Sequence, residues 1–377
     1  MTSRERVLTA LNHEEPDRVP IDLGSTANTG MTIKAYEALK QYLGYHRETV
    51  MLSKALQLAI MDEDILNLLH VDTRGVFIGA PDSGSDINLG DTQYEDEWGV
   101  VRHKPESSFY YDVIGSPFQD ESDKKNFDRF RWPDPRDPGR TRGMKERVND
   151  CLKSSDCAVV LHLAGGFITQ SQYLRGFAGW FEDTLLDTDF LCALLDRTLD
   201  FAIELTRSVL SIVGRDVDVI HFGDDLGAQN GLMISPACYR QYIKPRQAKL
   251  FAVAKSMTHA KLLYHTCGSV YEILDDLVEI GIDALNPIQH NARGMDCAML
   301  KREYGDRLAF WGGIDTNYAL PRGSVADVHA EVKKRIQLLA PGGGYILNPV
   351  HNVQPDVPPE NLMAMIEACR AYGQYPV

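Results

Sequence analysis

The residues that most directly suggest chemistry are His265 and Cys267, in the segment Tyr264-His-Thr-Cys-Gly268. If this segment is a strand, both side chains lie on the same face, because successive residues alternate between faces. An imidazole and a thiolate are good zinc ligands, and on a rigid strand they could supply two of the three protein ligands of an open catalytic site. The spacing alone also fits a small and a polar side chain that fill a layer of the core.

Other candidate functional residues lie elsewhere in the chain. His351 is a candidate third ligand or a separate acid or base, and it could equally be a histidine hydrogen-bonded within a loop. Asp224 and Asp225 form a pair of carboxylates. Only one of them can face a site, while the other caps a helix or accepts a hydrogen bond from a backbone amide. The same alternatives hold for Asp315.

Eight short apolar runs are the candidate strands that would position these side chains. They are nearly continuous in apolar character, which is typical of parallel strands buried on both faces. The runs are Val19–Gly24, Thr73–Gly79, Ala158–Gly165, Asp218–Asp224, Lys261–Cys267, Ala284–Ile288, Leu308–Ile314 and Gly344–Val350.

Helical patterns separate the runs, and one of them begins with Ser235 as N-cap and Pro236 at the first helical position. Alternating strands and helices fit either a closed barrel or a doubly wound sheet. Eight strands favour an α/β fold with a single (β/α)8 barrel of the TIM type, and no glycine-rich phosphate loop follows the first strand. The predicted helices are Thr32–Leu43, Leu52–His70, Asp183–Val213, Ser235–Met257, Val270–Ile280, Val325–Leu339 and Glu360–Tyr372.

The longest interruption of this alternation is residues 80–157, between the second and third strands. It contains clusters of Gly, Ser, Asp and Pro, and two strand-like runs, Glu97–His103 and Phe109–Val113, that predict a hairpin. We expect residues 1–377 to form one barrel domain in which this insertion covers the barrel mouth.

The charge and cysteine content restrict the class of protein. A net charge of −14 disfavours nucleic acid and anionic membranes as partners. Seven cysteines without a Cys-x-x-Cys pair are typical of a reducing compartment. The first residues do not form a secretory signal, and no run reaches about 18 apolar residues. We therefore expect a cytoplasmic protein without a membrane span.

The active sites of such barrels lie at the carboxyl ends of the strands, so the residues found there are informative. Several of the predicted strands end in histidine, aspartate, asparagine or cysteine, which places the His265–Cys267 pair at the catalytic face. The strand-end residues of the last six runs are His162, His221, Asp224, Asp225, His265, Cys267, Asn286, His290, Asp315, Asn348 and His351.

Several motifs resemble those of the uroporphyrinogen decarboxylase superfamily. The resemblance spans nearly the whole chain outside residues 80–157, and it implies a β/α barrel, in agreement with the strand count. The motifs are Arg4–His13, Pro16–Pro20, Asp224-Asp-Leu-Gly, Ser235-Pro, His265-Thr-Cys-Gly, Gly281–Pro287, Trp311–Asp315 and His351–Asn361.

True uroporphyrinogen decarboxylases use no cofactor and hold an octa-anionic substrate with an arginine-rich segment after the first strand. The corresponding segment here, Ile21–Met31, contains no arginine. Loss of these cationic partners should prevent binding of that substrate, because carboxylates need charged or strong hydrogen-bond donors. Of the decarboxylase active-site residues, the resemblance implies His351 by its motif, together with Tyr173 and Asp72.

The other branch of the superfamily contains zinc-dependent methyltransferases that work with corrinoid proteins. Their ligand pattern is His-x-Cys on one strand and a cysteine near the last strand. His265 and Cys267 match the first part, whereas His351 stands near the last strand where those enzymes have cysteine. The resemblance therefore implies either a zinc site of His265, Cys267 and His351, or no zinc and a vestigial motif.

The leading hypothesis is a zinc-dependent methyltransferase that moves a methyl group between a small methylated substrate and a corrinoid protein. His351 would be a ligand or proton donor, and Asp225 and Asp315 would orient the substrate or the ligands. One alternative is a metal-free carboxy-lyase that transfers protons through His351 or Tyr173. A further alternative is a non-catalytic ligand-binding barrel. The superfamily also suggests a homodimer.

Overall fold

Seven parallel strands form one curved sheet in the computed structural model of the chain, which describes residues 1–84, 86–163 and 166–377. Its strand order is β15-β14-β13-β12-β9-β8-β3. In chain order the strands are β1 (Val50–Ser53), β2 (Leu58–Ile60), β3 (Thr73–Phe77), β4 (Ile87–Gly90), β5 (Gln93–Glu95), β6 (Val101–His103), β7 (Asp112–Gly115), β8 (Ala158–His162), β9 (Val219–Gly223), β10 (Gly227–Ala228), β11 (Gly231–Leu232), β12 (Lys261–His265), β13 (Ala284–Asn286), β14 (Ala309–Trp311) and β15 (Tyr345–Ile346).

Helices alternate with the strands of the parallel sheet. The helix predicted to begin at Ser235 is present as Pro236–Cys238, a π-helical turn (Tyr239–Ile243) and Lys244–Lys255, and the Ser235 hydroxyl accepts from the Cys238 N–H at 3.1 Å. In chain order the α-helices are α1 (Ser3–Leu11), α2 (Ile33–Tyr42), α3 (Glu63–Leu68), α4 (Pro138–Thr141), α5 (Met144–Ser154), α6 (Phe167–Arg175), α7 (Phe177–Leu186), α8 (Thr188–Val213), α9 (Pro236–Cys238), α10 (Lys244–Lys255), α11 (Leu274–Glu279), α12 (Cys297–Tyr304), α13 (Ala319–Arg322), α14 (Val325–Leu339) and α15 (Pro359–Tyr372).

The first predicted strand, Val19–Gly24, is reduced to isolated contacts that join the two edges of the sheet. Ile21 forms a single parallel bridge with Leu347, next to β15. On the other side, the Asp72 N–H donates to the Ile21 carbonyl at 2.8 Å, directly before β3. These contacts confirm the predicted barrel. The end of the third predicted strand, residues 164–165, lies outside the described residues.

The predicted helix Leu52–His70 is wrong in its first half. Residues 50–60 form a hairpin of β1 and β2, and only α3 is helical. Gln57 adopts a positive φ of 52° at the turn, and the following residues pair with the chain around Met31 and Thr32. Buried backbone pairing therefore overrides a helical pattern of apolar residues.

The insertion between β3 and β8 contains an antiparallel sheet of order β4-β5-β6-β7. The predicted hairpin corresponds to β6 and β7, in which Arg102 pairs with Val113. The strands β4 and β5 have no counterpart in the prediction. The loop before β7 reaches the mouth of the barrel, where the Tyr110 hydroxyl hydrogen-bonds to the Asn352 side chain. Among the described residues, no helix has the length and apolar character needed to span a membrane.

Small and apolar side chains fill the barrel interior beneath the mouth, including Val160, Val219 and Leu263. Side chains two residues further along each strand face the same side. The alternation therefore directs His162 on β8, His221 on β9 and His265 on β12 toward the mouth, above the apolar layer.

Candidate metal centre at the barrel mouth

The structure brings together His265, Cys267 and His351. One ligand atom of each lies within 4.8 Å of the other two, and the Cys267 Sγ is 3.4 Å from the His265 Nε2. Metal–ligand bonds of about 2.0–2.3 Å in a tetrahedron separate neighbouring ligand atoms by roughly 3.3–3.8 Å. The donor set and the shorter distance therefore fit zinc with three protein ligands and an open position.

The orientation of His265 is fixed by Asn286. The Asn286 side-chain NH2 donates to the Trp311 carbonyl at 3.0 Å, so its oxygen faces His265. His265 Nδ1 lies 2.6 Å from that oxygen and must carry the proton. Its Nε2 therefore presents a lone pair toward Cys267, as a metal ligand requires.

Asn352 holds His351 in a similar way. The Asn352 NH2 donates to the Ala27 carbonyl at 3.2 Å, and its oxygen lies 2.9 Å from His351 Nδ1. The same oxygen accepts from Tyr110 and from the Gln354 amide. The Nδ1 of His351 is therefore the protonated nitrogen, and Nε2 is free to act as a ligand or as a base.

Burial sets the charge of all three candidate ligands. It lowers the pKa of His265 to about 4, despite the nearby Asp225 carboxylate, and it also lowers the pKa of His351. Both rings are therefore neutral near pH 7. Burial and the Asp225 carboxylate raise the pKa of the Cys267 thiol, which must lose its proton if a metal binds.

The two neighbouring carboxylates face different partners. An Asp225 oxygen accepts from the Cys267 N–H at 2.9 Å and lies 3.7 Å from His265 Nε2, and its side chain is 52% exposed. Asp224 is buried, and its carboxylate accepts from the Thr169 N–H at 2.7 Å in the first turn of α6. Burial raises the pKa of Asp224 to about 7. Asp225 therefore faces the cluster, while Asp224 caps a helix.

The other predicted site residues lie in different surroundings. The Asp315 carboxylate accepts from the Asn317 N–H at 2.8 Å, within its own loop. The Tyr173 ring on α6 contacts the Arg102 guanidinium at 4.7 Å, and burial raises the pKa of its hydroxyl. Within the described chain, neither side chain hydrogen-bonds to the three candidate ligands. Asp72 lies before β3, at the opposite end of the barrel.

The supporting roles of Asn286 and Asn352 were not predicted from the sequence. Asn286 is the last residue of β13, and Asn352 directly follows His351. Both amides are buried, and an amide beside a strand-end histidine is a candidate partner for its imidazole, because buried amides need hydrogen bonds.

Replacing Asn286 by leucine should lower zinc affinity about 10- to 100-fold, because His265 then loses the acceptor that orients it. Competition with a chromogenic chelator measures this affinity. Asn361→Leu is the matched control, since Asn361 is also buried and donates to backbone carbonyls, at 2.9 Å to that of Leu320. Equal zinc affinities in the two variants would contradict the orienting role.

The uroporphyrinogen decarboxylase (URO-D) family profile matches residues 113–372 of the chain. The chain belongs to this family. A methylcobamide:CoM methyltransferase, MtaA, of Methanosarcina barkeri is 28% identical over 199 residues, which are 53% of each chain. A uroporphyrinogen decarboxylase of Psychromonas ingrahamii is 24% identical over 258 residues, which are 65% of this chain and 68% of that protein. The chain thus spans about half the length of the methyltransferase that it matches.

One solved structure has a similar fold over the whole chain. A methyltransferase from Methanosarcina mazei superimposes with a TM-score of 0.70 at 20% sequence identity, over 99% of both chains. At this identity the likeness concerns the fold. The named relatives are enzymes of two kinds, methyltransferases and decarboxylases.

Proposed function

We propose that this URO-D family protein is a zinc-dependent methyltransferase that moves a methyl group between a small methylated substrate and a corrinoid protein. The observation that carries the proposal is the convergence of His265, Cys267 and His351 at the barrel mouth. The similarity of about half of the chain to a methylcobamide:CoM methyltransferase supports the proposal.

Each of the residues around the cluster has a separate task. His265, Cys267 and His351 would hold the metal, with the two imidazoles kept in the ligating tautomer by Asn286 and Asn352. When bound, zinc would supply a Lewis acid for the heteroatom that carries or accepts the methyl group.

Asp225 completes the site on its solvent side. Its carboxylate faces the cluster and is half exposed, so it can take up the proton of an acceptor group or return one from solvent to a leaving group. Tyr110 of the insertion reaches the site through its hydrogen bond to Asn352. A corrinoid protein would have to dock over this mouth.

The transfer conserves electron pairs. The bond between the methyl carbon and the heteroatom breaks with its pair left on the heteroatom, which then takes up a proton. The reduced cobalt of the corrinoid supplies the pair for the new bond to carbon. In the opposite direction, the deprotonated heteroatom supplies the pair for its new bond to the methyl carbon. The electron pair of the broken cobalt–carbon bond then stays on the cobalt.

Metal analysis and an assay with free methylcobalamin test the proposal. We expect about one zinc per chain, and demethylation of methylcobalamin by 2-mercaptoethanol that stops when zinc is removed by a chelator and resumes when it is restored. Absorbance of the corrinoid follows the reaction. Full activity without zinc would contradict the zinc-dependent mechanism.

The alternative function is a decarboxylase, which the family match and the decarboxylase relatives favour. The segment Ile21–Met31, which lacks arginine, argues against an octa-anionic substrate. Turnover of uroporphyrinogen by the purified protein would decide for this alternative. Ligand binding without turnover in either assay would favour the non-catalytic barrel.

A further inference from the structure

Two more histidines lie beside the candidate metal centre. The rings of His162 and His221 stack with centroids 4.8 Å apart and an interplanar angle of 18°. The His221 ring is 6.3 Å from that of His265. His162 and His265 end β8 and β12, and His221 on the intervening strand β9 pairs in register with His162, so the three imidazoles lie side by side at the floor of the mouth.

Three ring nitrogens of the stacked pair His162 and His221 lack partners within the described part of the chain. Both ring nitrogens of His221 and the Nδ1 of His162 are buried, and none has a hydrogen-bond partner among the described residues. Buried polar groups without partners are costly and rare in native proteins, so a cluster of them marks a place where a ligand supplies the missing hydrogen bonds.

The electrostatic surroundings disfavour an anionic ligand. The eight strand ends that form the mouth contain no lysine or arginine, whereas Asp225 supplies a carboxylate beside the candidate metal centre. Arg102 of the insertion is already paired with Asp96 at 2.9 Å. Burial lowers the pKa of His162 to about 4, so its ring brings no positive charge near pH 7.

A second metal does not account for these histidines. His265, Cys267 and His351 are the one group of three potential ligands that converge among residues 1–84, 86–163 and 166–377. Two imidazoles without a further ligand make a poor site for zinc. A neutral imidazole, by contrast, offers one N–H donor and one acceptor, which suits a group that both donates and accepts.

We propose that His221, with His162 stacked against it, binds an uncharged polar head group, such as a hydroxyl, of the small molecule that exchanges its methyl group at the metal centre. This inference rests on the proposed function for the identity of that molecule. It assigns His221 as a residue that determines specificity, and it predicts that compounds with an anionic head group bind poorly.

Two-carbon thiols that differ only in their head group test the assignment. The probes are ethanethiol, 2-mercaptoethanol, 2-mercaptoethanesulfonate and 2-aminoethanethiol, and calorimetry on the zinc-loaded protein measures their dissociation constants. We expect 2-mercaptoethanol to bind about tenfold more tightly than ethanethiol, and the sulfonate to bind more weakly than both. A preference for the sulfonate or the ammonium compound would overturn the proposal.

His221→Phe links this preference to the residue. The variant should bind ethanethiol as the wild type does, and it should lose the roughly tenfold advantage of 2-mercaptoethanol. Its metal-free form should unfold at the same temperature as the wild type or above it, because the change removes buried polar atoms that have no partner. An unchanged preference would overturn the proposal.

His13→Phe is the matched control, because His13 Nδ1 is hydrogen-bonded to the Gly305 carbonyl at 3.0 Å. We expect this variant to lose thermal stability and to keep the wild-type thiol preference. If His221→Phe lowers the unfolding temperature as much as the control does, His221 has a structural role and the assignment is wrong. Failure of methyl transfer with an intact head-group preference would contradict the proposed function alone.

Discussion

Replacing Cys267 by alanine is expected to prevent binding of the proposed zinc and to lower methyl transfer by about a thousandfold or more, since a Lewis acid contributes several kcal/mol to transition-state stabilisation. Cys267 supplies the sulfur of the candidate centre, 3.4 Å from His265 Nε2. Loss of the sulfur leaves two imidazoles, which bind zinc far more weakly. Metal analysis after dialysis and the methylcobalamin assay measure both effects.

Cys151→Ala controls for the loss of a cysteine. Cys151 is partly buried, as Cys267 is, and lies on α5 away from the mouth. Its replacement should change neither zinc content nor transfer. A Cys267→Ala protein that keeps one zinc and its activity would contradict the proposed ligand set.

His351→Ala separates the two roles left open for His351. We expect zinc to be lost together with activity, because the His351 ring is held by Asn352 with Nε2 free to face the other two ligands. If zinc remains stoichiometric while transfer fails, His351 acts as an acid or base and a different group completes the metal site.

Replacing Asp72 by asparagine is expected to lower the free energy of unfolding by about 3–5 kcal/mol, the usual cost of breaking a buried ion pair. The Asp72 carboxylate is fully buried and accepts from Arg6 at 2.7 Å and from Arg18 at 2.8 Å. It also accepts from the Ile21 N–H at 2.8 Å. Asparagine would leave the two guanidinium groups without their shared counterion.

Asp64→Asn is the control for this second prediction. Asp64 pairs with Arg47 at 3.1 Å, but both side chains are largely exposed, so the loss should stay below about 1 kcal/mol. Denaturant titration of the metal-free proteins measures both changes. A similar small effect for Asp72→Asn would show that its ion pairs do not stabilise the barrel.

Cys267 and Asp72, the residues of these two main predictions, lie at opposite ends of the barrel, one for the proposed chemistry and one for stability. His265 and Cys267 stand at the carboxyl end of β12, whereas Asp72 precedes β3 and joins the first segment of the chain to the sheet. This division is general in β/α barrels. It also explains why Asp72, which the family resemblance suggests as an active-site residue, has only structural contacts here.

The local pattern of apolar residues along the sequence was sufficient to predict most strands and helices of the barrel. Parallel strands buried on both faces are continuous apolar runs, and the helices α2, α14 and α15 show the helical spacing of apolar residues that predicts them. The hairpin at residues 50–60 was missed because its pairing partners, Met31 and Thr32, are distant in sequence. The strand β4 is exposed and β5 has only three residues, so neither has much apolar signal.

The sequence by itself determined which side chains stand at the strand ends, because alternation along a strand depends only on local backbone geometry. His265 and Cys267 are on one face for that reason. Only the tertiary structure decided that His351, which is 84 residues beyond Cys267, meets them. It also decided that Asn286 and Asn352 orient the rings, that Asp315 turns to its own loop, and that His162 stacks on His221. Such contacts depend on barrel closure, which brings distant segments together.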